Sequence, residues 1–321
     1  MERRLASENS GRHGQAILHK AGRSHADPVG APPNRPCKRG NMSSFDEIRD
    51  AQRDTWNRFA PGWKKWDVPV LSMTKLVGVT MLDRVGLRDG HRVLDVATGT
   101  GEPGLTAAGR VGTGSVIGID LSEEMARIAN DSARARHIDN YEARVGDACN
   151  LPFPDGSFDA VVCRFGVMFF PDPLLAVREM VRVLPPGGRL AVSAWGPPPK
   201  NPWITSVMEP INTILSLPPP PPDAPGMFRY AAPGRLRTLL EEAGVSTVTE
   251  EAVDIEHTYE SPEQLWQMMQ EVAAPLVAAM SAATPAQRET IERTVLTRLG
   301  EQAAGGPLVA RGNAWVAYGE R

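Results

Sequence analysis

The sequence predicts an α/β fold, a mostly parallel sheet flanked by helices, and three observations carry that prediction. From His91 onward, short apolar runs of buried-strand type alternate with segments of helical length and period. The first run ends in an acid and a glycine-rich turn, Asp95-Val-Ala-Thr-Gly99-Thr-Gly101. Two further acids, Asp120 and Asp147, close or follow the second and third runs. All three carboxylates therefore fall at the carboxyl ends of strands, where open α/β sheets bind ligands.

The 321 residues allow one large α/β domain or two small ones, and 41% hydrophobic with 23% charged residues is ordinary for a soluble globular chain. Residues 1–43 stand apart as a basic extension rich in Gly, Pro and Ser. They are expected to be disordered, because they offer too little apolar surface to offset the entropy of ordering. The basic start resembles a transit peptide in charge, but its acids and prolines weaken that reading. Met42 opens the helical stretch MSSFDEIRDAQRDTW and is read as an alternative start. Residues 44–90 read as a helical cap, in which Trp56, Phe59, Trp63 and Trp66 recur at spacings of three and four. That spacing puts the four rings on one face, as core or lid packing.

Residues 91–196 read as the ligand-binding core. Strands are expected at His91–Ala97, Ser115–Asp120, Tyr141–Val145, Phe158–Phe165 and Arg189–Trp195. Helices follow from about Glu102 to Arg110, after the capping Ser122, and over Pro171–Leu184, the last stopped by Pro185-Pro186-Gly187-Gly188. Such alternation implies right-handed crossovers and parallel strands. Beyond Trp195 the regularity breaks into an insertion over 197–230 that cannot be sheet, framed by GPPPKNPW and the five prolines Pro218–Pro222. The proline run favours a stiff polyproline spacer, and the insertion serves equally well as connector or as lid. A helix over Gly234–Gly244, a strand over VSTVTEEAVDIEHTY, helical patterns over Ser261–Ala283 and Thr284–Leu299, and a strand around Ala314–Tyr318 complete the reading of 197–321.

Several function classes lose support at this level. A formal net charge of -3 offers no general attraction to phosphate backbones. The three cysteines share no metal-finger spacing, so no metal is expected. No apolar run approaches the roughly 20 residues of a membrane span. A cytoplasmic protein without stable membrane insertion and without a nucleic-acid partner is expected.

The glycine turn lets backbone N–H groups approach a ligand that a Cβ would repel. Gly99, Gly101 and Gly104 also satisfy G-x-G-x-x-G, so a nicotinamide dinucleotide is a competing ligand. Asp95 would repel a pyrophosphate but welcome the ammonium of S-adenosylmethionine. Asp120 suits the ribose hydroxyls of either cofactor, while Asp147 with the Ala148 backbone can read an adenine edge.

VLDVATGTGE, VIGIDLSEEM, GDACNLPFPDGSFDAVVCRFGVMFF and AVREMVRVLPPGGRLAVSAWG, in that order, resemble the successive motifs of the class I S-adenosylmethionine-dependent methyltransferases. They are most similar to the branch that contains the ubiquinone and menaquinone C-methyltransferases, and the likeness covers roughly residues 50–200. It implies a Rossmann-like class I fold with a seven-stranded, mostly parallel sheet and a lid insertion. It also implies a cofactor surface made of Asp95, Thr98, Gly99, Thr100, Gly101, Asp120, Leu121, Met125, Asp147, Ala148 and Arg164. Asp95, Thr100 and Gly101 would face the methionine part, Asp120 the ribose, and Asp147 with Ala148 the adenine. Arg164 stands where that branch carries a small polar residue, Leu184-Pro185-Pro186 replaces a Leu-Lys-Pro, and AWGPPPKNPW has no counterpart there. These departures bear on the acceptor and not on the fold.

No catalytic residue is identified. His91 and His137 are expected on the surface, His257 and Tyr259 lie at the end of the sixth strand, and Tyr230 with Arg229 are candidates for shaping an acceptor pocket. An exocyclic-amine methyltransferase would show Asn-Pro-Pro-aromatic after the fourth strand, where Arg164-Phe165-Gly166-Val167 stands instead. Asn201-Pro202-Trp203 is a partial echo after the wrong strand, and the Pro36-Cys37 pair lies in the extension. The reading is methyl transfer from S-adenosylmethionine to O, N or C of a small molecule. A nicotinamide-dependent oxidoreductase and a non-catalytic cofactor-binding protein are the alternatives.

Overall fold

A computed structural model describes residues 42–221 and 223–321. The expected disorder of the N-terminal extension, Pro36-Cys37 and the last proline of the run lie outside the described residues.

Two helices open the described chain, α1 (Met42–Lys65) and α2 (Asp67–Arg84), joined at the buried Trp66. The core then alternates as expected: β1 (Arg92–Val96), α3 (Gly104–Arg110), β2 (Ser115–Asp120), α4 (Glu123–Ala135), β3 (Tyr141–Val145), β4 (Ala160–Arg164), α5 (Pro173–Arg182) and β5 (Arg189–Trp195). Local chemistry sets the helix starts. Ser122 Oγ accepts from Met125 N at 3.1 Å to cap α4, and Asp172 Oδ1 accepts from Leu175 N at 2.9 Å ahead of Pro173 in α5.

The C-terminal part adds α6 (Pro202–Ile214), α7 (Arg235–Glu242), β6 (Ser246–Tyr259), α8 (Pro262–Val272), α9 (Ala274–Ala282), α10 (Pro285–Ala303) and β7 (Leu308–Glu320). The stretch after Trp195 is not sheet, but it holds a helix, α6, that its prolines disguise. Pro202 sits at the start, where no N–H is needed, and Pro210 is tolerated inside. The final strand is longer than Ala314–Tyr318, because it pairs along the whole of the fourteen-residue β6.

The seven strands run in the order β3-β2-β1-β4-β5-β7-β6. β1 to β5 pair in parallel, and β7 is antiparallel to both its neighbours. β1 and β4 are buried almost throughout, as their unbroken apolar runs require. α3 and α4 pack on β1 to β3, while α2 covers β4 to β7. The chain reverses direction of travel between β1 and β4, so the carboxyl ends of β1, β2 and β4 lie side by side at the switch point, where open α/β sheets bind ligands. His137 is exposed as expected, whereas His91 is half-buried, its Nδ1 accepting from Arg88 N at 3.3 Å.

α1 is seated across α4 and α8. At Gly62 it runs so close to α8 that an added Cβ would lie 2.2 Å from the Glu271 carbonyl oxygen. The Glu271 carboxylate accepts from Lys65 Nζ at 2.6 Å and Trp66 Nε1 at 3.0 Å, closing the same contact. Gly62→Ala is therefore expected to destabilise the protein by roughly 1–3 kcal/mol through overpacking, read as a lowered Tm with intact far-ultraviolet circular dichroism. An unchanged Tm would mean that α1 does not seat here.

Candidate active site

The site is organised around Asp95, wholly buried at the end of β1. Its Oδ2 accepts from Thr98 Oγ1 at 2.7 Å and from Gly104 N at 2.9 Å, while its buried Oδ1 has no partner among the described residues. The Thr98 hydroxyl also shares a hydrogen bond with Tyr141 Oη at 2.8 Å. Gly104 has to be glycine, since a Cβ would meet the Tyr141 ring at 2.7 Å and Asp95 Oδ2 at 2.8 Å. The third glycine of the G-x-G-x-x-G pattern thus serves a carboxylate of the protein itself. An anion such as pyrophosphate finds that N–H already engaged and a carboxylate beside it. Gly99 (φ +55°) has open space where a Cβ would stand, so the turn presents bare backbone there.

Asp120 closes β2 and joins the same network. Its Oδ2 accepts from Gly99 N and its Oδ1 from Ser122 N, both at 2.9 Å. Leu121 is half-buried beyond it, and Met125 packs with Ala60 and Ile128 against Trp56 and Trp63 of α1. Asp147 follows β3 on the next strand. Its Oδ1 accepts from Cys149 N at 2.8 Å, its Oδ2 lies 3.9 Å from Arg49 Nη1, and Ala148 beside it is buried. Arg164 ends β4 and donates from Nη1 to Thr74 Oγ1 of α2 at 2.5 Å.

The structure thus brings Asp95, Thr98, Gly99 and Asp120 into one hydrogen-bonded cluster, with Asp147 and Arg164 at its two sides. The hydroxyls of Thr98 and Thr100 are turned to the protein, the latter donating to Asp67 Oδ1 at 2.8 Å. Sequence reasoning missed three supporting residues. Tyr141 read only as a strand residue. Asn57, whose Oδ1 accepts from Ser122 Oγ at 2.7 Å, and Asp67 read only as polar positions of helices. No local pattern marks partners that lie 65 and 33 residues away.

Burial raises the Asp95 carboxyl to about 7, against the opposing pull of Thr98, Arg164 and Gly104. Burial likewise raises Asp120 to about 6, against its backbone N–H partners. The same desolvation lowers the Arg164 guanidinium from its ordinary value. A pocket that makes carboxylates costly to ionise gains most from a ligand that brings positive charge or hydrogen-bond donors to them.

Beyond Arg164 the packing turns aromatic. Phe165 stacks on Trp195 with centroids 4.2 Å apart, and Trp203 meets Trp195 edge-on at 5.3 Å. The following turn, Val167–Phe169, is clamped from two sides. Trp56 of α1 packs edge-on against Phe169 at 5.2 Å, and the insertion adds Gly226 N to Met168 O at 3.0 Å and Arg229 Nη1 to Phe170 O at 2.7 Å. Arg229 thus pins a loop, and Tyr230 lines a surface cleft of ≈ 390 Å³ with Pro233, Thr238 and Glu242. Asn201 is spent inside the protein: Nδ2 donates to the carbonyls of Gly196, Pro197 and Asn313, and Oδ1 accepts from Asn313 N. His257 packs edge-on against Tyr259, and the Tyr259 hydroxyl faces the sulfurs of Met73 and Met268.

Comparisons with known proteins agree with this geometry. Residues 94–192 match the family described as the methyltransferase domain. Over 259 residues, 76% of this chain and 90% of the relative, the sequence is 32% identical to nocamycin O-methyltransferase of Saccharothrix syringae. Over 110 residues it is 46% identical to demethylmenaquinone methyltransferase of Thermus thermophilus, a match that spans half of that enzyme and 34% of this chain. Phosphoethanolamine N-methyltransferase 2 of Haemonchus contortus, solved with S-adenosyl-L-methionine, shares the fold at a TM-score of 0.51 and 19% identity, over 88% of this chain and 60% of that one. The chain belongs to the class I S-adenosylmethionine-dependent methyltransferases. It is an enzyme of that family with S-adenosylmethionine as its cofactor, and the oxidoreductase alternative has no support. Among the described residues no helix is long and apolar enough to cross a membrane.

The raised carboxyls carry a pH dependence with a defined sign. Both acids hold their protons more tightly in the folded chain, so their contribution to stability is present below about pH 4 and lost as pH rises through about 6 and 7. For a ligand that donates to these two carboxylates, affinity runs the other way, since the ionised forms make the better acceptors. Affinity for S-adenosylhomocysteine by calorimetry is expected to rise between pH 5 and 8, with Asp120→Asn removing the part near pH 6. A flat profile in the wild type would contradict this.

Proposed function

We propose that the cofactor lies along the Asp95–Gly101 turn, Asp120, Leu121, Met125, Asp147 and Ala148 with Arg164 alongside, and that the methyl group passes to an oxygen of a small organic acceptor. The buried Asp95 Oδ1 without a partner carries the cofactor assignment, because it is an acceptor waiting for a donor beside a turn of bare backbone. S-adenosylmethionine supplies an electrophilic methyl group when bound. The protein has to grip, orient and keep dry. Asp120 offers its carboxylate to the ribose hydroxyls, and such charge-assisted bonds contribute about 1.5–3 kcal/mol each. Trp56, Asn57 and Met125 bring α1 down over the crevice and exclude water. The half-buried Phe165, backed by the buried Trp195 and Trp203, offers an apolar ring at the end of β4, suited to a planar acceptor.

The extent of the likenesses favours oxygen over carbon. The quinone-enzyme match is core-sized, whereas the match to the O-methyltransferase runs well beyond the core into the elements around the acceptor side. The three described histidines lie elsewhere: His137 is exposed, His257 packs on Tyr259, and His91 precedes β1. Asp95 and Asp120 belong to the hydrogen-bond network of the glycine turn, on the proposed cofactor side. An acceptor oxygen that is acidic by itself, a phenol, enol or carboxylic acid, needs no strong base and fits this lining. A spent Asn201 speaks against a nucleic-acid amine. A cytoplasmic setting with a small-molecule acceptor completes the proposal.

S-adenosylhomocysteine at 100-fold excess over its Kd is expected to stabilise the protein by about 2.7 kcal/mol in thermal-shift assays, with NAD inert and Asp120→Ala binding at least tenfold more weakly. Incubation with methyl-13C donor and a panel of phenols, enols and carboxylic acids is expected to yield O-methyl products by NMR. A new methyl on carbon or nitrogen, or a response to NAD alone, would overturn the proposal.

A further inference from the structure

Tyr141 is buried at the start of β3, and its phenol crosses β2 to reach the turn after β1. Asp95 pairs with Gly118 and Gly118 with Ala143, so these three positions lie side by side across the sheet. Tyr141, two residues before Ala143, shares their face. A Cβ on Gly118 would lie 2.5 Å from the Tyr141 Oη and 2.9 Å from the Thr98 methyl, and one on Gly104 would lie 2.7 Å from the Tyr141 ring. Two glycines therefore clear the path of one side chain. Gly weakens a strand interior, so β2 gives up stability to admit the hydroxyl. A phenylalanine would fill the ring's place without a polar group that has to be satisfied away from water.

The contact made by that hydroxyl has a fixed direction. The single Thr98 hydroxyl proton goes to Asp95 Oδ2 at 2.7 Å, so in the 2.8 Å contact between the two hydroxyls Tyr141 donates and Thr98 accepts. Tyr141, Thr98 and Asp95 thus form a chain of donors that ends on a carboxylate oxygen, joined there by Gly104 N at 2.9 Å. Donors in series polarise one another, and they act most strongly away from water. Thr98 is 2% exposed and Asp95 not at all. The chain matches the ionised carboxylate: a proton on Asp95 Oδ2 would meet two donors, and one on Oδ1 finds no partner among the described residues. The other ionisable groups around Asp95 are Glu102, which opposes its charge, Arg164, which favours it, and the Asp120 carboxyl and Cys163 thiol of the neighbouring strands. Tyr141 differs from all of these in acting through a hydrogen-bonded hydroxyl.

We propose that Tyr141 is a positioning residue that acts on Asp95 through the Thr98 hydroxyl, holding the carboxylate ionised and fixed by Oδ2 while Oδ1 stays free for a cationic ligand. The proposal rests on the cofactor assignment above only for the identity of that ligand, the positive amino-acid end of S-adenosylmethionine. Burial raises the Asp95 carboxyl to about 7. At that position the loss of one supporting donor leaves most of the carboxyl protonated at neutral pH. Tyr141 thereby sets, from β3, the lower pH limit at which the end of β1 carries its charge.

Carboxyl 13C NMR on the ligand-free full chain reads Asp95 directly, its resonance identified by its loss in Asp95→Asn. The wild-type signal is expected to titrate near pH 7. Tyr141→Phe is expected to move the midpoint up by about half to one pH unit. Thr98→Val is expected to move it up as well, and adding Tyr141→Phe to Thr98→Val to move it no further. Tyr141→3-fluorotyrosine, a stronger donor on the same ring, is expected to move it down. In calorimetry, Tyr141→Phe is expected to weaken S-adenosylhomocysteine about 3–10-fold at pH 6.5 and by less than about twofold near pH 8.5. 5′-Methylthioadenosine, which lacks the amino acid, is expected to bind equally well to both proteins. An unmoved midpoint in folded Tyr141→Phe would overturn the proposal. So would a full-sized change in the Thr98→Val background, since the effect would then not pass through Thr98. A wild type that binds no S-adenosylhomocysteine at either pH would sink the cofactor assignment instead, and the ligand-free titration would still decide the role of Tyr141.

Discussion

Everything at the carboxyl end of β1 depends on one buried carboxylate. Asp95 ties the end of β1 to the glycine turn through Thr98 and to the start of α3 through Gly104. A full charge in that position is costly, and the hydrogen bonds from Thr98 and Gly104, together with the charge of the nearby Arg164, only partly offset it. The compensation comes from what the arrangement prepares. The turn is held in one shape before any ligand arrives, and no binding energy is spent on ordering it. The glycines follow from this constraint: Gly104 must lack a side chain because Asp95 occupies its space. Gly166 must lack one because Ala97, a residue with positive φ, puts its methyl 2.5 Å from where that Cβ would be.

Around this centre the protein places a second grip that comes from outside the sheet. Asn57 of α1 holds the start of α4 through Ser122, and Asp67 of α2 holds the glycine turn through Thr100. The two N-terminal helices are thus parts of the proposed cofactor site and more than a cover for the core. Their own seating on α8, through Gly62 and Glu271, links the crevice mechanically to the C-terminal helices. The acceptor side is built on the same plan, with the turn after β4 fixed between Trp56 and the insertion.

Strand and helix could be read from the chain wherever burial is two-sided and the stops are Gly or Pro. Ser115–Asp120 and Arg189–Trp195 fall at their observed limits, and so does Tyr141–Val145, which is buried on one face only and closed by Gly146. The acids at the strand ends were equally visible, because their position follows from the alternation alone. α6 was hidden, since Pro202 and Pro210 suppress the local helical signal and packing against α10 and β7 supplies the stability instead. Tyr141, Asn57 and Asp67 were hidden for another reason: their roles arise from partners distant in sequence, and a polar side chain does not announce which turn it will reach. The position of β7 between β5 and β6 likewise follows from tertiary pairing and leaves no mark on its apolar pattern.

That position has a consequence for how the chain comes into being. β7 fills the gap between β5 and β6, so β5 has an open edge and β6 has no sheet to join until residues Leu308–Glu320 arrive. A chain emerging from the ribosome can assemble β1 to β5 with the Asp95 and Asp120 hydrogen bonds at their ends while the rest is still being made. It cannot close the sheet. For the time taken to translate some hundred residues after Trp195, β5 would present unpaired backbone to any other strand in reach. The helices α6 to α10 are short-range structures that form quickly on their own, and they are the ones synthesised in that interval. The order of elements along the chain therefore puts fast local folding in the window when the molecule is most open to wrong partners. The strand that ends the exposure is kept for last.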